Sequence, residues 1–153
     1  MINEDGNVWD ACFLATVASL MNTRLPEVSI SQGNKIKVNT SKLRNLNVHH
    51  IPVCISFYFL EGLSHTKPLV DANSKEEKLA KSRLSICMNI FEDLCGMTTL
   101  GSLDIPPQFL MHCSKIALGL TKELTHRVRE AFAKRNDKSV SMLDFSMSNA
   151  RKY

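Results

Sequence analysis

The chain has 153 residues, 44% hydrophobic and 22% charged, a composition that suits one ordinary domain able to bury roughly two thirds of its unfolded surface and excludes the apolar-poor profile of disorder. A net charge of +4 and a pI near 8.9 permit contact with RNA or another anion without demanding it. Five cysteines, Cys12, Cys54, Cys87, Cys95 and Cys113, are odd in number and lack a C-x-x-C pair, so they read as reduced core thiols of an intracellular protein rather than as a disulfide framework.

The most apolar run, Val8 to Met21, follows Glu4 and Asp5 and carries Asp10 within it. With no basic lead-in and too few residues to span a bilayer, it reads as neither a signal peptide nor a membrane segment. Asp5, Gly6 and Asn7 offer helix-start chemistry, and the apolar residues behind them fall on every face of a helix, which predicts burial on several sides. Pro26 disfavours helix at Leu25, so the helix ends across Asn22 to Pro26. Val28 to Val38 holds two short strands about the turn Gln32-Gly33-Asn34, and the polar stretch Asn39 to Asn47 reads as a loop.

Val53, Ile55, Phe57 and Phe59 alternate with Cys54, Ser56 and Tyr58, the period of a strand, and Glu61-Gly62 supplies a turn before a returning strand that ends at Leu69 and Val70. From Ser74 a short helix follows, with Ser74 as cap and Glu77 three residues on completing a capping-box pattern. Leu84, Ile86, Met88 and Ile90 alternate again, Glu92-Asp93 turns, and a partner strand runs from Leu94 to Leu100. Gly101 to Pro107 is a loop. Phe109, Cys113, Ile116, Ala117, Leu120, Leu124, Val128 and Ala131 then form one stripe of a long helix that starts at Pro106 or Pro107, with Lys134 and Arg135 near its end and Asn136 as its stop. The tail, residues 137–153, has no sustained period and is expected to be flexible. The order strand-strand-helix-strand-strand-helix predicts an α+β fold with a mainly antiparallel four-stranded sheet, helices packed on it and an extra buried helix in front.

Sites that would carry chemistry fail on spacing. His49-His50 are adjacent on an expected strand and point to opposite faces, and His112-Cys113 diverge by about 100° on a helix, so no metal site is expected. No G-x-S-x-G, Walker loop or G-x-G-x-x-G is present. Asp71, Glu76 and Glu77 could in principle hold a cation or act as general acids, but Lys78, Lys81 and Arg83 follow them, the pattern of a capped helix with ordinary charge pairs. Lys35, Lys37, Lys42 and Arg44, and Arg127, Arg129, Lys134 and Arg135, could touch phosphate. No aromatic is interleaved with either set, so they read as solvated faces and no RNA-binding residue is assigned.

Five collinear pieces, DGNVWDACFLATVASL, NTRLPEV, VHHIPVCISFYF, PLVDANSKEEKLAKSRLSICMN and HCSKIALGLTKEL, resemble the ribonuclease PH-like subunits of the RNA exosome ring, over about Ile2 to Asn136. The resemblance implies a chain containing only the later part of such a subunit. Residues 1–24 would be the helix ending the first ribonuclease PH-like domain, 25–136 the second domain, and 137–153 a tail. Active members of that family carry an aspartate directly after a K-E-E segment and another six residues on. The matching segment here is Lys75-Glu76-Glu77, and those two positions are Lys78 and Leu84; a one-residue shift finds Leu79 and Ser85.

The resemblance therefore implies a structural subunit with no catalytic residue, no metal and no cofactor, one that supports 3′–5′ RNA degradation. Its partners would be other ribonuclease PH-like subunits in a heteromeric ring and single-stranded RNA through the assembled channel, with no membrane, in nucleus, nucleolus and cytoplasm. The alternatives are a phosphorolytic 3′–5′ exoribonuclease in its own right and a free-standing RNA-binding module. If Val8 to Met21 is built to sit between two halves, the chain alone exposes an apolar patch and is expected to self-associate.

Overall fold

The computed structural model describes residues 2–31, 33–60, 68–102 and 105–150, with side chains to residue 134. In chain order the elements are α1 (Val8–Asn22), β1 (Arg24–Ser31), β2 (Lys35–Asn45), β3 (Val53–Leu60), β4 (Leu69–Val70), α2 (Ser74–Leu79), β5 (Ala80–Met88), β6 (Leu94–Gly101) and α3 (Pro107–Ala150). Strands β4-β3-β5-β6 form an antiparallel four-stranded sheet in that order, and β1-β2 form a separate hairpin.

Period-two alternation decides what each face of the sheet meets. Val53, Ile55, Phe57 and Phe59 of β3 and Leu84, Ile86 and Met88 of β5 project toward α3 and close on Phe109, Cys113 and Ala117. Phe57, Leu84 and Ile86 are fully buried, and each stabilises the fold by about 2–3 kcal/mol. Residues of opposite parity, Cys54, Ser56, Tyr58, Ser85 and Cys87, are buried as well, because α1 packs on β3 from the second face. The result is a sheet between two helices. α1 carries the link itself: Asp10 Oδ2 accepts from Ser56 N and Asp10 Oδ1 from Ser56 Oγ, both at 2.7 Å, and Ser56 Oγ lies 2.8 Å from Ser85 Oγ.

Several local expectations change. β2 continues through Asn45, so Asn39 to Asn45 is strand and not loop; every residue of β2 is exposed, and a strand without a buried face has no alternation to betray it. The expected hairpin turn keeps Gly33 and Asn34, both at positive φ, while Gln32 lies outside the described residues, as do the Glu61-Gly62 turn and Leu103 and Asp104 of the loop after β6. The cap of α2 is Asn73, one residue before Ser74. α1 forms, yet Val17 is its single buried residue, and Trp9 and Leu20 are about half exposed, so the helix expected to be buried all round is covered on one flank. Cys12 and Cys95 are exposed, leaving Cys54, Cys87 and Cys113 as the core thiols. α3 runs past Asn136 to Ala150, since no Gly or Pro follows to stop it. Residues 151–153 lie outside the described residues.

Candidate functional site

The acidic segment that invites a catalytic reading begins where β4 ends. Asp71 turns the chain at φ 58, Ala72 is buried, and Asn73 caps α2: its Oδ1 accepts from Lys75 N and Glu76 N at 3.0 Å, while Glu76 Oε2 accepts from Asn73 N at 2.8 Å. That reciprocal pair satisfies donors a helix start would otherwise leave open. Glu76 is thus committed to the backbone N–H of Asn73.

Glu77 and Asp71 reach the N-terminal turn instead. Glu77 Oε1 accepts from Asn7 N at 2.9 Å and from the Tyr58 hydroxyl at 2.5 Å, and Asp71 Oδ1 accepts from Asn7 Nδ2 at 3.1 Å. Ser74 N donates to Asp5 O at 3.1 Å. The two segments approach so closely that Gly6, at φ +91, has no room for a Cβ: one built there would stand 2.6 Å from Ser74 N, 2.5 Å from Asn73 C and closer still to Ala72 O. Burial and then the bond to Glu77 push the Tyr58 hydroxyl up to about 12, against a smaller opposing pull from Arg83. The Arg83 guanidinium carbon itself lies 5.7 Å from the Trp9 ring centroid, within cation–π range. All three carboxylates of the segment therefore accept structural hydrogen bonds.

The remaining groups fit the same picture. Lys78 is on the last turn of α2, and Leu84 lies inside the α3-facing core. Burial, followed by the nearby Asp10 carboxylate, raises the Cys54 thiol to about 12; burial and then Cys95 raise Cys87 to about 11. Burial also raises Cys113. None of the three is poised as a thiolate nucleophile. His49 and His50 fall in the connection before β3 rather than on a strand, and His50 meets Phe91 edge-on at 5.9 Å. Among the described residues no three His, Cys, Asp or Glu side chains converge as metal ligands, and no helix is long and apolar enough to cross a membrane.

Of the basic residues, Lys35, Lys37, Lys42 and Arg44 all lie on exposed β2, with Lys42 3.6 Å from Glu27. On α3, Arg127 bonds Glu123 at 2.6 Å, while Arg129 and Lys134 share the helix; the side chain of Arg135 lies outside the described residues. A cleft of about 400 Å³ opens where α1 and α3 converge beside β3, lined among others by Asn7, Asp10, Asp71, Glu123 and Arg127.

Sequence patterns single out Asp71, Glu76 and Glu77 but give no hint of their partners Asn7 and Tyr58. A lone acid in an apolar helix, Asp10, and hydroxyls at facing strand positions, Ser56 and Ser85, are the signals that could have revealed the second cluster. Asn89 was also missed: its Oδ1 accepts from Phe91 N at 2.9 Å and Asp93 N at 3.0 Å, which organises the β5–β6 turn.

Three comparisons bear on this geometry. Residues 50–119 match the family described as 3′ exoribonuclease family, domain 2. The human exosome complex component RRP45 is 34% identical over 143 residues, covering 92% of this chain and 31% of the human protein. The zebrafish (Danio rerio) protein of the same name is 33% identical over 144 residues, covering 92% and 35%. Among solved structures, a chain of the Archaeoglobus fulgidus exosome with RNA bound to its active site superposes with a TM-score of 0.66 at 21% identity, over 82% of this chain and 45% of that one, a likeness of fold. The chain thus spans about a third of the length of these curated relatives.

Proposed function

Because residues 50–119 match the model described as 3′ exoribonuclease family, domain 2, we propose that this chain acts as a non-catalytic subunit of an exosome-type ring. It pairs with other ribonuclease PH-like subunits and helps to form a passage for single-stranded RNA, whose degradation a partner performs. The similarity to exosome components in two vertebrates supports the assembly role. The observation that carries the absence of catalysis is the fate of the acids: Asp71, Glu76 and Glu77 are each bound to Asn7, Tyr58 or the α2 cap. By resemblance to active members, the two catalytic aspartate positions hold Lys78 and Leu84. A lysine donates and does not accept, and a buried leucine can neither bind Mg²⁺ nor relay a proton. Nuclear, nucleolar and cytoplasmic pools follow from the same assembly reading.

The test uses the purified chain with end-labelled single-stranded RNA, inorganic phosphate and Mg²⁺. No nucleoside diphosphate is expected, and co-purification with ribonuclease PH-like subunits co-expressed with it is. Phosphate-dependent release of nucleoside diphosphates would establish a phosphorolytic enzyme instead. Salt-sensitive RNA binding by the chain with no such co-purification would establish a free-standing RNA-binding module.

A further inference from the structure

The outer edge of the four-stranded sheet is β6, and its sequence LCGMTTLG contains no charged residue and no proline. Among the described residues no element pairs with its far side. An edge strand presents a row of outward N–H and C=O groups, and natural sheets normally blunt such an edge with Lys, Pro or a covering loop. Here Leu94, Met97 and Leu100 are 58%, 49% and 61% exposed. The bulge that does occur, between the pairs Cys87–Gly96 and Met88–Leu94, is confined to the first residues of β6. From Gly96 to Leu100 the register with β5 is regular, so the far side of that segment is a straight template for one more extended strand.

We propose that this edge is a homotypic contact: a second copy of the chain adds its own β6 antiparallel to the first, related by a two-fold axis through Thr98. In an antiparallel pair opposing residues share a face. Pairing about Thr98 sets Thr98 against Thr98, Met97 against Thr99 and Gly96 against Leu100. Every pair joins residues of like parity, uncharged, with a glycine beneath the largest side chain. The sheet becomes continuous across both copies, in the order β4-β3-β5-β6-β6-β5-β3-β4.

The competing apolar surface is the β1–β2 hairpin, whose Val28, Ile30, Ile36 and Val38 are 54%, 75%, 72% and 54% exposed. It also carries Arg24, Lys35, Lys37, Lys42 and Arg44 against the single acid Glu27. Two copies meeting there would bring like charges together, whereas two β6 edges bring none. Between these two surfaces, charge selects the strand edge for a copy of this chain. The contact stands independently of the ring assignment, since it needs only the free edge.

Sedimentation velocity of the full chain at micromolar concentration is expected to give a particle of twice 17.2 kDa. Thr98→Lys, at an exposed position, places two ammonium groups in direct opposition and is expected to return it to monomer with an unchanged circular dichroism spectrum. With Cys12 and Cys95 replaced by Ser, Thr98→Cys is expected to form a disulfide-linked dimer on mild oxidation, and Ile30→Cys on the hairpin is not. A monomeric native chain, or a dimer that Thr98→Lys leaves intact, overturns the proposal. A dimer cross-linked through Ile30→Cys in preference to Thr98→Cys does so as well.

Discussion

Replacing Gly6 with alanine tests how the N-terminal turn is held to the acidic segment. Two costs arise. At φ +91 an L side chain strains the backbone by about 1–3 kcal/mol. The new Cβ would also collide with backbone atoms of residues 72 to 74, which cannot rotate away as a side chain could. The turn must lift, and with it go the Ser74–Asp5 bond and the bonds from Asn7 to Glu77 and Asp71, each contributing about 1 kcal/mol. The total is about 4–6 kcal/mol, a large share of a typical domain's stability.

Gly33→Ala is the matched control, because Gly33 has φ +86 but nothing within 4 Å of its would-be Cβ; only the strain term remains there. Urea unfolding followed through Trp9, the chain's single tryptophan, reads the attachment of α1 directly. Gly6→Ala is expected to lower the midpoint far more than Gly33→Ala and to change Trp9 emission before unfolding begins. Equal effects of the two substitutions would show that the close approach at residues 72 to 74 contributes nothing.

Three further outcomes are expected. Asp10→Ala leaves Ser56 N and Oγ without their acceptor on a covered face and should cost about 2–4 kcal/mol by denaturant unfolding; a loss below 0.5 kcal/mol, roughly the scatter of surface substitutions, would mean that water replaces the carboxylate at no penalty. Tyr58 has its folded pKa raised from 10.0 to about 12, so its contribution is complete below pH 10 and disappears as pH rises through about 12. Tyr58→Phe should therefore flatten the fall in stability over that alkaline window, measured as unfolding midpoint against pH, and an unchanged slope would refute the Glu77 bond. Thr121 and Thr125 bury hydroxyls that have no hydrogen-bond partner among the described residues. Thr121→Val should raise stability by about 1 kcal/mol, and a calorimetric decrease would show that the hydroxyl is satisfied in solution.

What the sequence discloses follows from what each element buries. β3, β5 and the stripe of α3 are legible because one side of each faces a core, and burial writes its period into the residues: Val53, Ile55, Phe57 and Phe59 at every second position, Phe109, Cys113 and Ala117 at every fourth. β2 buries nothing, so Asn39 to Asn45 reads as loop although it is strand. Asn73 and Ser74 are both able caps, and the doublet Glu76-Glu77 offers either one an acid three residues on, which leaves the α2 start ambiguous by one position. The contacts that define the candidate site are harder still. Asn7 meets Glu77 across 70 residues of chain, and no local pattern encodes a partner at that distance. The resemblance to ribonuclease PH-like subunits points to a family, yet it gives no account of why the acids are present at all. Their structural bonds supply one.

The tie between Asn7 and Glu77 also sets an order of events during synthesis. α1 leaves the ribosome before β3, β4 and α2, and its N-terminal turn can dock only once they have emerged, some 70 residues later. At elongation rates of about 5–20 residues per second this delay lasts about 4–14 s. The Asp10–Ser56 link can form after 46 residues, so for the rest of that interval α1 is held through β3 alone while its N-terminal turn stays untied. The bonds of Asn7 to Glu77 and Asp71 thereby set when the N-terminal turn of α1 closes onto the segment that begins α2.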